Sequence, residues 1–343
     1  MRCFLLSSFL LSWLLAGCSA DAAANGAETT IYVALDEQFS RPLLDRYAKE
    51  LQLELTQRHD TEAAKTVGLV SALLEEQKNP RATVFWCNEL AQVVRLAQLG
   101  VLAPYDSPAA RDVPAQWRDP QHRWTGFAAR ARVLIVNTEQ LPDPKTWPTS
   151  YRDLVDPKWK GRCAVARPLT GTTLTHFTAL RGVLGEAKFG AFLDGLFAND
   201  VKFLQSNGAT MRAVRDGQLA FAFTDTDDYH VAKQKGHPVA CVFPDQEAGG
   251  IGTMLIPNAV GLVQGGPNQA GGKRLIDRIV ARETEALLAA ADGAQIPLRD
   301  GVPPPKDPTV LPIGKFAAMA WDPRWTADNL ARCSGEFGRR FGQ

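Results

Sequence analysis

Residues 29–57, TTIYVALDEQFSRPLLDRYAKELQLELTQ, indicate the fold class most directly. This stretch begins with the β-rich run TTIYVAL (residues 29–35), continues through residues 41–52 with apolar side chains at helical spacing, and ends in the strand-like run LELTQ (residues 53–57). A strand, a helix and a second strand in this order predict parallel pairing of the two strands. The stretch therefore indicates an α/β protein.

The same alternation continues along the chain and predicts a sheet flanked by helices. Further strands are predicted at residues 82–86, 126–137, 163–168, 201–205, 219–223, 238–243 and 253–264. Helices are predicted at residues 61–77, 88–99, 172–184 and 186–197, within 273–291, and from 313 to the end. The long run GFAARARVLIVN (residues 126–137) is expected to cross between two lobes. We expect lobe 1 to comprise residues 29–130 and 250–343, and lobe 2 to comprise residues 131–249.

The first 20 residues, MRCFLLSSFLLSWLLAGCSA, have the layout of a secretory signal: one positive charge, an apolar run and then small residues. The tetrad before Ser19 ends in Cys18 and looks like a lipobox, in which the thiol receives diacylglycerol. We predict a signal peptide over residues 1–18 with lipid on Cys18, and a flexible tether over residues 19–28. The mature protein is expected at the periplasmic or extracellular face, anchored to a membrane.

Composition and charge limit the function classes. Hydrophobic residues make up 45% of the 343 residues and charged residues 22%, as in ordinary globular proteins. A formal net charge of +1 without a Lys/Arg run gives no electrostatic basis for binding nucleic acid. Four cysteines follow the signal segment: Cys87, Cys163, Cys241 and Cys333. They either form two disulfides, by any of three pairings, or remain buried thiols.

The order of several segments resembles the ferric-ion-type periplasmic binding proteins of ABC importers. The segments are VFWCNELAQVVRLAQLGVLAPYDSP, GFAARARVLIVNTEQL, YRDLVDPKWKGRCAVARPLTGTT, SNGATMRAVRDGQLAFAFTDTDD, TMLIPNAVGLVQGGPNQ and GAQIPLRDGV. The resemblance covers nearly the whole mature chain. It implies a two-lobed type II periplasmic-binding-protein fold, with a mixed or parallel sheet flanked by helices in each lobe and a ligand cleft between them.

The resemblance also implies that the protein binds a solute and catalyses no reaction. The two lobes would close on one small solute and present it to a permease and an ATPase. No catalytic residue and no catalytic cofactor is expected, and the protein is expected to be a monomer. Iron or another hard cation, with a synergistic anion, is the first choice of solute. A small organic solute such as a phosphonate, a polyamine or a thiamine-like amine is the alternative.

Strand-to-helix turns supply candidate anion ligands. Thr170, Gly171, Thr172 and Thr173 lie between a predicted strand and a predicted helix, where hydroxyls and free N–H groups bind anions, although a threonine there also caps the helix. Asn207 lies in a similar turn, where the family places an anion-contacting polar residue. Arg130 and Arg132 are two apart in a strand and share one face, from which Arg130 is a candidate ligand or an interlobe ion-pair partner.

Candidate metal ligands are oxygen-rich. The tandem tyrosines that bind iron in the family fall on Asp227 and Asp228 here, followed by Tyr229, which becomes a ligand if the register slips. The family's histidine and glutamate positions fall on Asp36 and near Asn88, beside Glu89. Together with Asp225, these residues would form a pocket for Fe³⁺, Mg²⁺, Ca²⁺ or an amine. Carboxylates packed this closely repel one another unless a cation joins them.

Three other interpretations of the same features remain open. The acidic run of residues 225–228 also suits plain capping of a following helix, which is predicted at residues 229–235. A strand followed by Asp-x-Asp resembles the nucleophile loop of haloacid-dehalogenase-type phosphatases, with Asp225 as nucleophile and Asp227 as acid/base. A lipoprotein that only scaffolds or senses is the third alternative.

Overall fold

The computed structural model of the protein describes residues 28–60 and 67–342. The signal peptide, Cys18 and residues 19–27 of the tether lie outside the described residues, so these assignments stay predictions. In the described parts of the chain, no helix combines the length and the hydropathy that crossing a bilayer requires.

Strands and helices alternate along the described residues, as the sequence pattern predicts. The strands are β1 Thr29–Val33, β2 Leu55–His59, β3 Val84–Cys87, β4 Leu102–Ala103, β5 Thr125–Asn137, β6 Cys163–Ala166, β7 Lys202–Leu204, β8 Phe221–Asp225, β9 Val239–Val242 and β10 Leu255–Val263. The helices are α1 Glu37–Leu51, α2 Val67–Glu75, α3 Leu90–Gln98, α4 Gly171–Leu184, α5 Glu186–Ala198, α6 Asn207–Arg215, α7 Thr226–Gln234, α8 Gln269–Ile279, α9 Arg282–Ala290 and α10 Pro323–Phe341. Short 3₁₀ helices lie at Pro108–Ala110, Ala115–Trp117, Pro144–Thr146, Tyr151–Val155 and Pro157–Trp159.

Strand β5 connects two parts of one mixed sheet, whose order is β2-β1-β3-β10-β5-β8-β6-β7. As far as Ala131, β5 pairs antiparallel with β10; from Arg132 onward it pairs antiparallel with β8, and its last residues also pair with β9. We call β2, β1, β3, β10 and β4 with the first half of β5 sheet A. Sheet B is the second half of β5 with β8, β9, β6 and β7. Residues 126–137 thus run through both sheets.

Parallel pairing brings several strand ends to the same edges. In sheet A, β1 lies parallel to both β2 and β3; in sheet B, β6 lies parallel to both β7 and β8. All 13 residues of β5 are buried. Burial of both faces explains why this strand is almost continuously apolar, and it makes the arginines within the strand exceptional.

Two hydrophobic cores hold the helices to the sheet. One lies mainly around sheet A and α1, α2, α3 and α8. The other contains a cluster of aromatic rings, including Phe177, Phe189, Phe192 and Phe337, from α4, α5 and α10. The C-terminal helix α10 packs against both α3 and α4, so the end of the chain joins helices from either side of β5.

Two predicted helices begin elsewhere. The last helix begins at Pro323 rather than at residue 313, because Gly314 adopts a positive φ of 86° and Asp322 caps the helix by accepting from the backbone N–H groups of Arg324 and Trp325. The helix after β8 begins at Thr226, so Asp227 and Asp228 lie in its first turn. Asp225 occupies the preceding position without a capping bond from its side chain, so simple capping does not describe this residue.

The four cysteines of the described chain are free. Cys87, Cys163 and Cys333 are buried, and Cys241 is half-buried. Burial raises the pKa of the Cys163 thiol to about 12, which keeps it protonated at neutral pH. The structure therefore favours the buried-thiol alternative over two disulfides.

Candidate functional site

A cavity of about 370 Å³ lies between the carboxyl ends of strands from sheets A and B. Its lining is almost entirely polar and carries charges of both signs. The lining residues are Asp36, Asn88, Glu89, Arg130, Ala166, Arg167, Thr170, Gly171, Thr172, Thr173, Gln205, Ser206, Asn207, Ala209, Arg212, Asp225, Asp227 and Asp228.

Strand ends explain why these residues meet. Asp36 follows β1, and Asn88 and Glu89 follow β3, so sheet A supplies one wall. The other wall comes from residues that follow β6, β7 and β8 in sheet B. The carboxyl ends of parallel strands lie on one edge of a sheet, where the turns into helices leave polar groups exposed to a ligand. The cavity is therefore a cleft between two such edges.

Asp225, at the end of β8, is buried and bound from several sides. Arg132 Nη1 donates to its Oδ1 at 2.6 Å, and Arg130 Nη1 donates to its Oδ2 at 3.2 Å. Thr172 Oγ1 and Asn207 Nδ2 donate to the same Oδ2 at 2.9 and 3.1 Å. Burial alone would raise the pKa of Asp225, but Arg132 and Arg130 more than offset it and hold the pKa below its ordinary value. This carboxylate therefore stays charged and ties α4 and α6 to β5.

Arg130 reaches from β5 to both walls of the cleft. Its Nη2 donates to the carbonyl oxygen of Asn88 at 2.8 Å and lies 3.6 Å from Glu89 Oε1. Its Nη1 faces Asp225 and lies 3.8 Å from Asp227 Oδ2. The side chain is only 6% exposed, so water screens these interactions little. Arg130 thus joins acids that follow β3 to acids that follow β8.

Asp225, Asp227 and Asp228 form an oxygen cluster. One carboxylate oxygen from each lies within 4.8 Å of the other two. The backbone N–H of Asp228 donates to Asp227 Oδ1 at 3.0 Å, and Thr224 Oγ1 donates to Asp228 Oδ2 at 2.8 Å. Carboxylate oxygens at this spacing suit a hard cation, and two of the three residues, Asp227 and Asp228, are the metal ligands predicted from the sequence.

The proton affinity of Asp227 differs sharply from that of Asp225. Burial raises the pKa of Asp227 to about 8; Arg130 offsets part of this rise, while repulsion from Asp228, Asp225 and Asp36 adds to it. At neutral pH, Asp227 is therefore largely protonated in the ligand-free protein. A cation that takes the place of this proton would relieve the repulsion.

Glu89 is a second carboxyl group with a raised pKa. It is 1% exposed, and burial raises its pKa to about 7 despite the nearby Arg130. Thr175 Oγ1, on α4, donates to Glu89 Oε2 at 2.7 Å. This bond links the turn after β3 directly to a helix on the opposite wall.

Two helix N-termini border the cleft, as the threonine and asparagine motifs predict. Helix α4 begins at Gly171, whose φ of +59° favours glycine, and the side chain of Thr170 makes no capping bond. The hydroxyl of Thr173 donates to Asn207 Oδ1 at 3.0 Å, so α4 and α6 are joined at their first turns. Ser206 caps α6 by accepting from the backbone N–H of Ala209 at 3.1 Å.

Tyr229 is the one predicted site residue that lies elsewhere. The residue is 1% exposed, and its hydroxyl forms a 2.8 Å hydrogen bond with Thr309 Oγ1. Tyr229 does not belong to the residues that line the cleft. The physical reason is the helix: two positions after Asp227 a helical residue points about 200° away around the axis, here into the core. Tyr229 therefore does not line the cleft in this structure.

The structure adds lining residues that the motif search missed, chiefly Arg167, Gln205, Ser206 and Arg212. Arg167 directly follows β6, and Gln205 and Ser206 follow β7, so a rule that collects polar residues at strand carboxyl ends would have found them. Arg212 lies farther along α6, and no local signal marks it. Arg167 and Arg212 are exposed, and they add positive charges to the wall that also carries Asp225, Asp227 and Asp228.

A two-sheet α/β protein with a polar cleft between strand ends has the architecture of a solute-binding protein. The family described as bacterial extracellular solute-binding protein matches residues 93–323, and the chain belongs to this family. Members bind solutes and are not enzymes, so a phosphatase with Asp225 as nucleophile is no longer a candidate.

Relatives of known name are similar over most of the chain. Iron uptake protein A1 of Synechocystis sp. is 26% identical over 307 residues, covering 87% of this chain and 82% of the relative. The Fe(3+)-binding periplasmic protein of Serratia marcescens is 29% identical over 212 residues, covering 62% and 61%. A Salmonella typhi protein named for binding 2-aminoethylphosphonate is 26% identical over 261 residues, covering 75% and 74%.

Solved structures share the fold. Iron-bound HitA from Pseudomonas aeruginosa superimposes with a TM-score of 0.79 at 22% identity, covering 91% of this chain and 99% of HitA. The periplasmic binding protein AfuA from Actinobacillus pleuropneumoniae, with fructose-6-phosphate bound, has a TM-score of 0.77 at 19% identity, covering 92% and 98%. The two-lobed periplasmic-binding-protein fold and the resemblance to ferric-ion-type binders are confirmed.

Proposed function

We propose that this chain is the substrate-binding lipoprotein of an ABC importer and that its cleft captures ferric iron or another hard cation. The observation that most directly supports cation binding is the carboxylate cluster, in which oxygens of Asp225, Asp227 and Asp228 lie within 4.8 Å of one another. Asp36 and Glu89 line the same cavity from the opposite wall. Ligands on both walls are what would let a cation stabilise the closed form.

Asp227 and Asp228 are the proposed direct ligands, with Asp36 from the other wall. Asp225 organises them, because its two oxygens already accept bonds from two arginines, Thr172 and Asn207. The names of the Synechocystis and Serratia relatives, both of which refer to iron, support this choice of cargo. The tandem tyrosine ligands of the ferric-ion family are replaced here, so the cation would be held by carboxylates.

An anion is proposed to complete the cation site. Thr170 to Thr173 and Asn207 lie at the N-termini of α4 and α6, where N–H groups carry partial positive charge. Arg167 and Arg212 add full charges at the same side of the cavity. A carboxylate or phosphate bound there would neutralise these groups and present further oxygens to the cation.

Metal analysis tests the cation directly. Residues 19–343 are purified, and native mass spectrometry and elemental analysis look for one bound metal per chain; Fe³⁺, Mg²⁺ and Ca²⁺ are then added singly in a thermal-shift assay. A bound cation should raise the melting temperature, since a ligand that binds only the folded state stabilises it. The matched control is Asp227→Asn. If no metal co-purifies and none of the three ions changes the melting temperature, the cation is the wrong cargo.

A small organic solute with an amine and a phosphonate or carboxylate is the second candidate. One observation favours it: the 370 Å³ cavity is lined by acids and also by two exposed arginines, Arg167 and Arg212. The name of the Salmonella relative refers to such a molecule. Stabilisation by 2-aminoethylphosphonate, with no response to metals, would establish this alternative.

The lobes are proposed to divide at residues 130/131 and 249/250. The change of pairing partner within β5, between Ala131 and Arg132, supports the first boundary. Ligand-driven closure should then reduce the radius of gyration in X-ray scattering. A radius that ligand leaves unchanged would contradict the hinge.

Lipid on Cys18 is proposed to hold the mature chain near the permease and ATPase. Cys18→Ser should move the protein from the detergent phase to the aqueous phase in a Triton X-114 partition of cells. Cys3→Ser is the matched control, since Cys3 lies within the segment that signal cleavage removes. Equal partitioning of Cys18→Ser and wild type would argue against the anchor.

A further inference from the structure

We propose that Arg130 is a built-in counter-cation, which neutralises the acid cluster in the empty cleft and thereby limits how much positive charge a ligand can add. This role rests on the proposed binding of a hard cation. It concerns a residue that ligates nothing itself but sets the specificity of the site.

The position of Arg130 is the first argument. Its two terminal nitrogens lie 3.2 Å from Asp225, 3.8 Å from Asp227 and 3.6 Å from Glu89. A metal ion bound by the same acids would occupy the same region, because Arg130 also lines the cavity. The guanidinium therefore lies where a cationic ligand is expected.

Charge pairing is the second argument. Arg132, which is fully buried behind the cleft, donates to Asp225 at 2.6 Å, so this carboxylate keeps a counter-charge when Arg130 is replaced. Arg130 is a second positive charge beside Asp225, and its attraction extends to Asp227 and Glu89. The repulsion between Arg130 and a bound cation is strong because a buried charge is screened far less than an exposed one.

The incomplete bonding of Arg130 is the third argument. Its Nε is buried and has no hydrogen-bond partner, although Nη1 and Nη2 are bonded. Arg130 is held by its acids more than by a complete set of hydrogen bonds, which suits a group that shifts when a ligand enters.

Substitution of Arg130 distinguishes a residue that competes with the cation from one that supports its binding, because the two roles predict opposite changes in cation affinity. Arg130→Met removes the charge, and Arg130→Gln removes it while keeping a donor for the Asn88 carbonyl. Fe³⁺ is supplied from its nitrilotriacetate complex, and the dissociation constant is measured by competition at pH 8. Both variants should bind Fe³⁺ about tenfold more tightly than wild type, or better, since a unit charge about 4 Å away opposes the ion.

Two further variants serve as controls. Arg130→Lys keeps the charge and should stay within about threefold of wild type. Arg167→Met removes an exposed cleft charge, and its effect should be smaller than that of Arg130→Met, because solvent screens Arg167. Circular dichroism establishes that each variant is folded.

Each outcome decides between the two proposals. Weaker or equal binding in Arg130→Met and Arg130→Gln, with normal binding in wild type, would overturn the counter-cation role and leave iron binding standing. Binding in these variants but not in wild type would support the counter-cation role and remove iron as the natural cargo. If neither wild type nor the variants bind Fe³⁺, both proposals are wrong.

Discussion

The end of β8 and the first turn of α7 each carry an aspartate, and the two aspartates lie in different electrostatic environments. Asp225, the last residue of β8, accepts hydrogen bonds from Arg130, Arg132, Thr172 and Asn207, and its pKa lies below the ordinary value. Asp227, two residues later, has one arginine at 3.8 Å and a pKa of about 8. The Asp225 side chain is 3% exposed and that of Asp227 is 13% exposed, so the more buried carboxyl group has the lower pKa and burial does not explain the difference.

The difference teaches that a carboxylate in a cleft takes its role from its counter-charges. Asp225 is a structural anion, since its partners compensate it fully in the empty protein. Asp227 is left with a proton in place of a counter-ion. Substitution of Asp225 should therefore impair folding, whereas substitution of Asp227 should impair ligand binding.

The largest effect is expected for Asp225→Asn. The substitution leaves Arg132 buried without a counter-charge, which should lower the free energy of unfolding by about 3–5 kcal/mol. Urea denaturation of the ligand-free protein measures this. A loss below about 1 kcal/mol would mean that Asp225 is not the structural anion of the pair.

Asp227→Asn should spare the fold and damage binding. The ligand-free protein should unfold within about 0.5 kcal/mol of wild type, because Asp227 is mostly protonated there and asparagine resembles that form. Affinity for Fe³⁺ should fall about 100-fold, or by about 2.7 kcal/mol, with loss of a charged ligand. Calorimetry and denaturation are compared on the same sample, and a folding defect without a binding defect would reverse the roles of the two aspartates.

Cation affinity should rise with pH. Protons leave Glu89 and Asp227 as the pH passes about 7 and about 8, and a cation binds the deprotonated groups. Affinity corrected for the chelator should therefore rise about tenfold or more from pH 6 to 8 and level off above that. Calorimetry in two buffers of different ionisation enthalpy counts the released protons, and Asp227→Asn should release fewer. A flat profile would contradict the raised pKa values.

The raised pKa of Asp227 should make the stability of the ligand-free protein fall, rather than rise, with increasing pH. Because the folded-state pKa of Asp227 lies above the unfolded value, the ligand-free folded protein holds the extra proton between about pH 4 and 8. The contribution of this group to stability should therefore decrease as the pH rises through that range. Asp227→Asn should reduce the decrease when melting temperatures are compared across pH.

The smallest effect is expected for Tyr229→Phe. Loss of the hydrogen bond to Thr309 should cost about 1 kcal/mol of stability, and ligand affinity should stay unchanged because Tyr229 lies outside the cleft. Denaturation and ligand titration measure the two quantities. A marked loss of affinity would place the phenol in the binding site after all.

Sequence by itself determined the alternation of strands and helices, and hence the α/β class, because hydrophobic periodicity is a local property. It also placed Asn207 at a strand-to-helix turn, and its resemblance to the ferric-ion-type binders pointed to Asp36, Asn88 and Glu89. All four line the cleft.

Tertiary structure alone decided what each charge does. The pairing of Arg132 with Asp225, 93 residues apart, and the reach of Arg130 to Glu89 depend on how β5 lies between two sheets. Neighbouring charges then separated the pKa of Asp225 from that of Asp227. These are long-range electrostatic effects, which no local pattern of residues encodes.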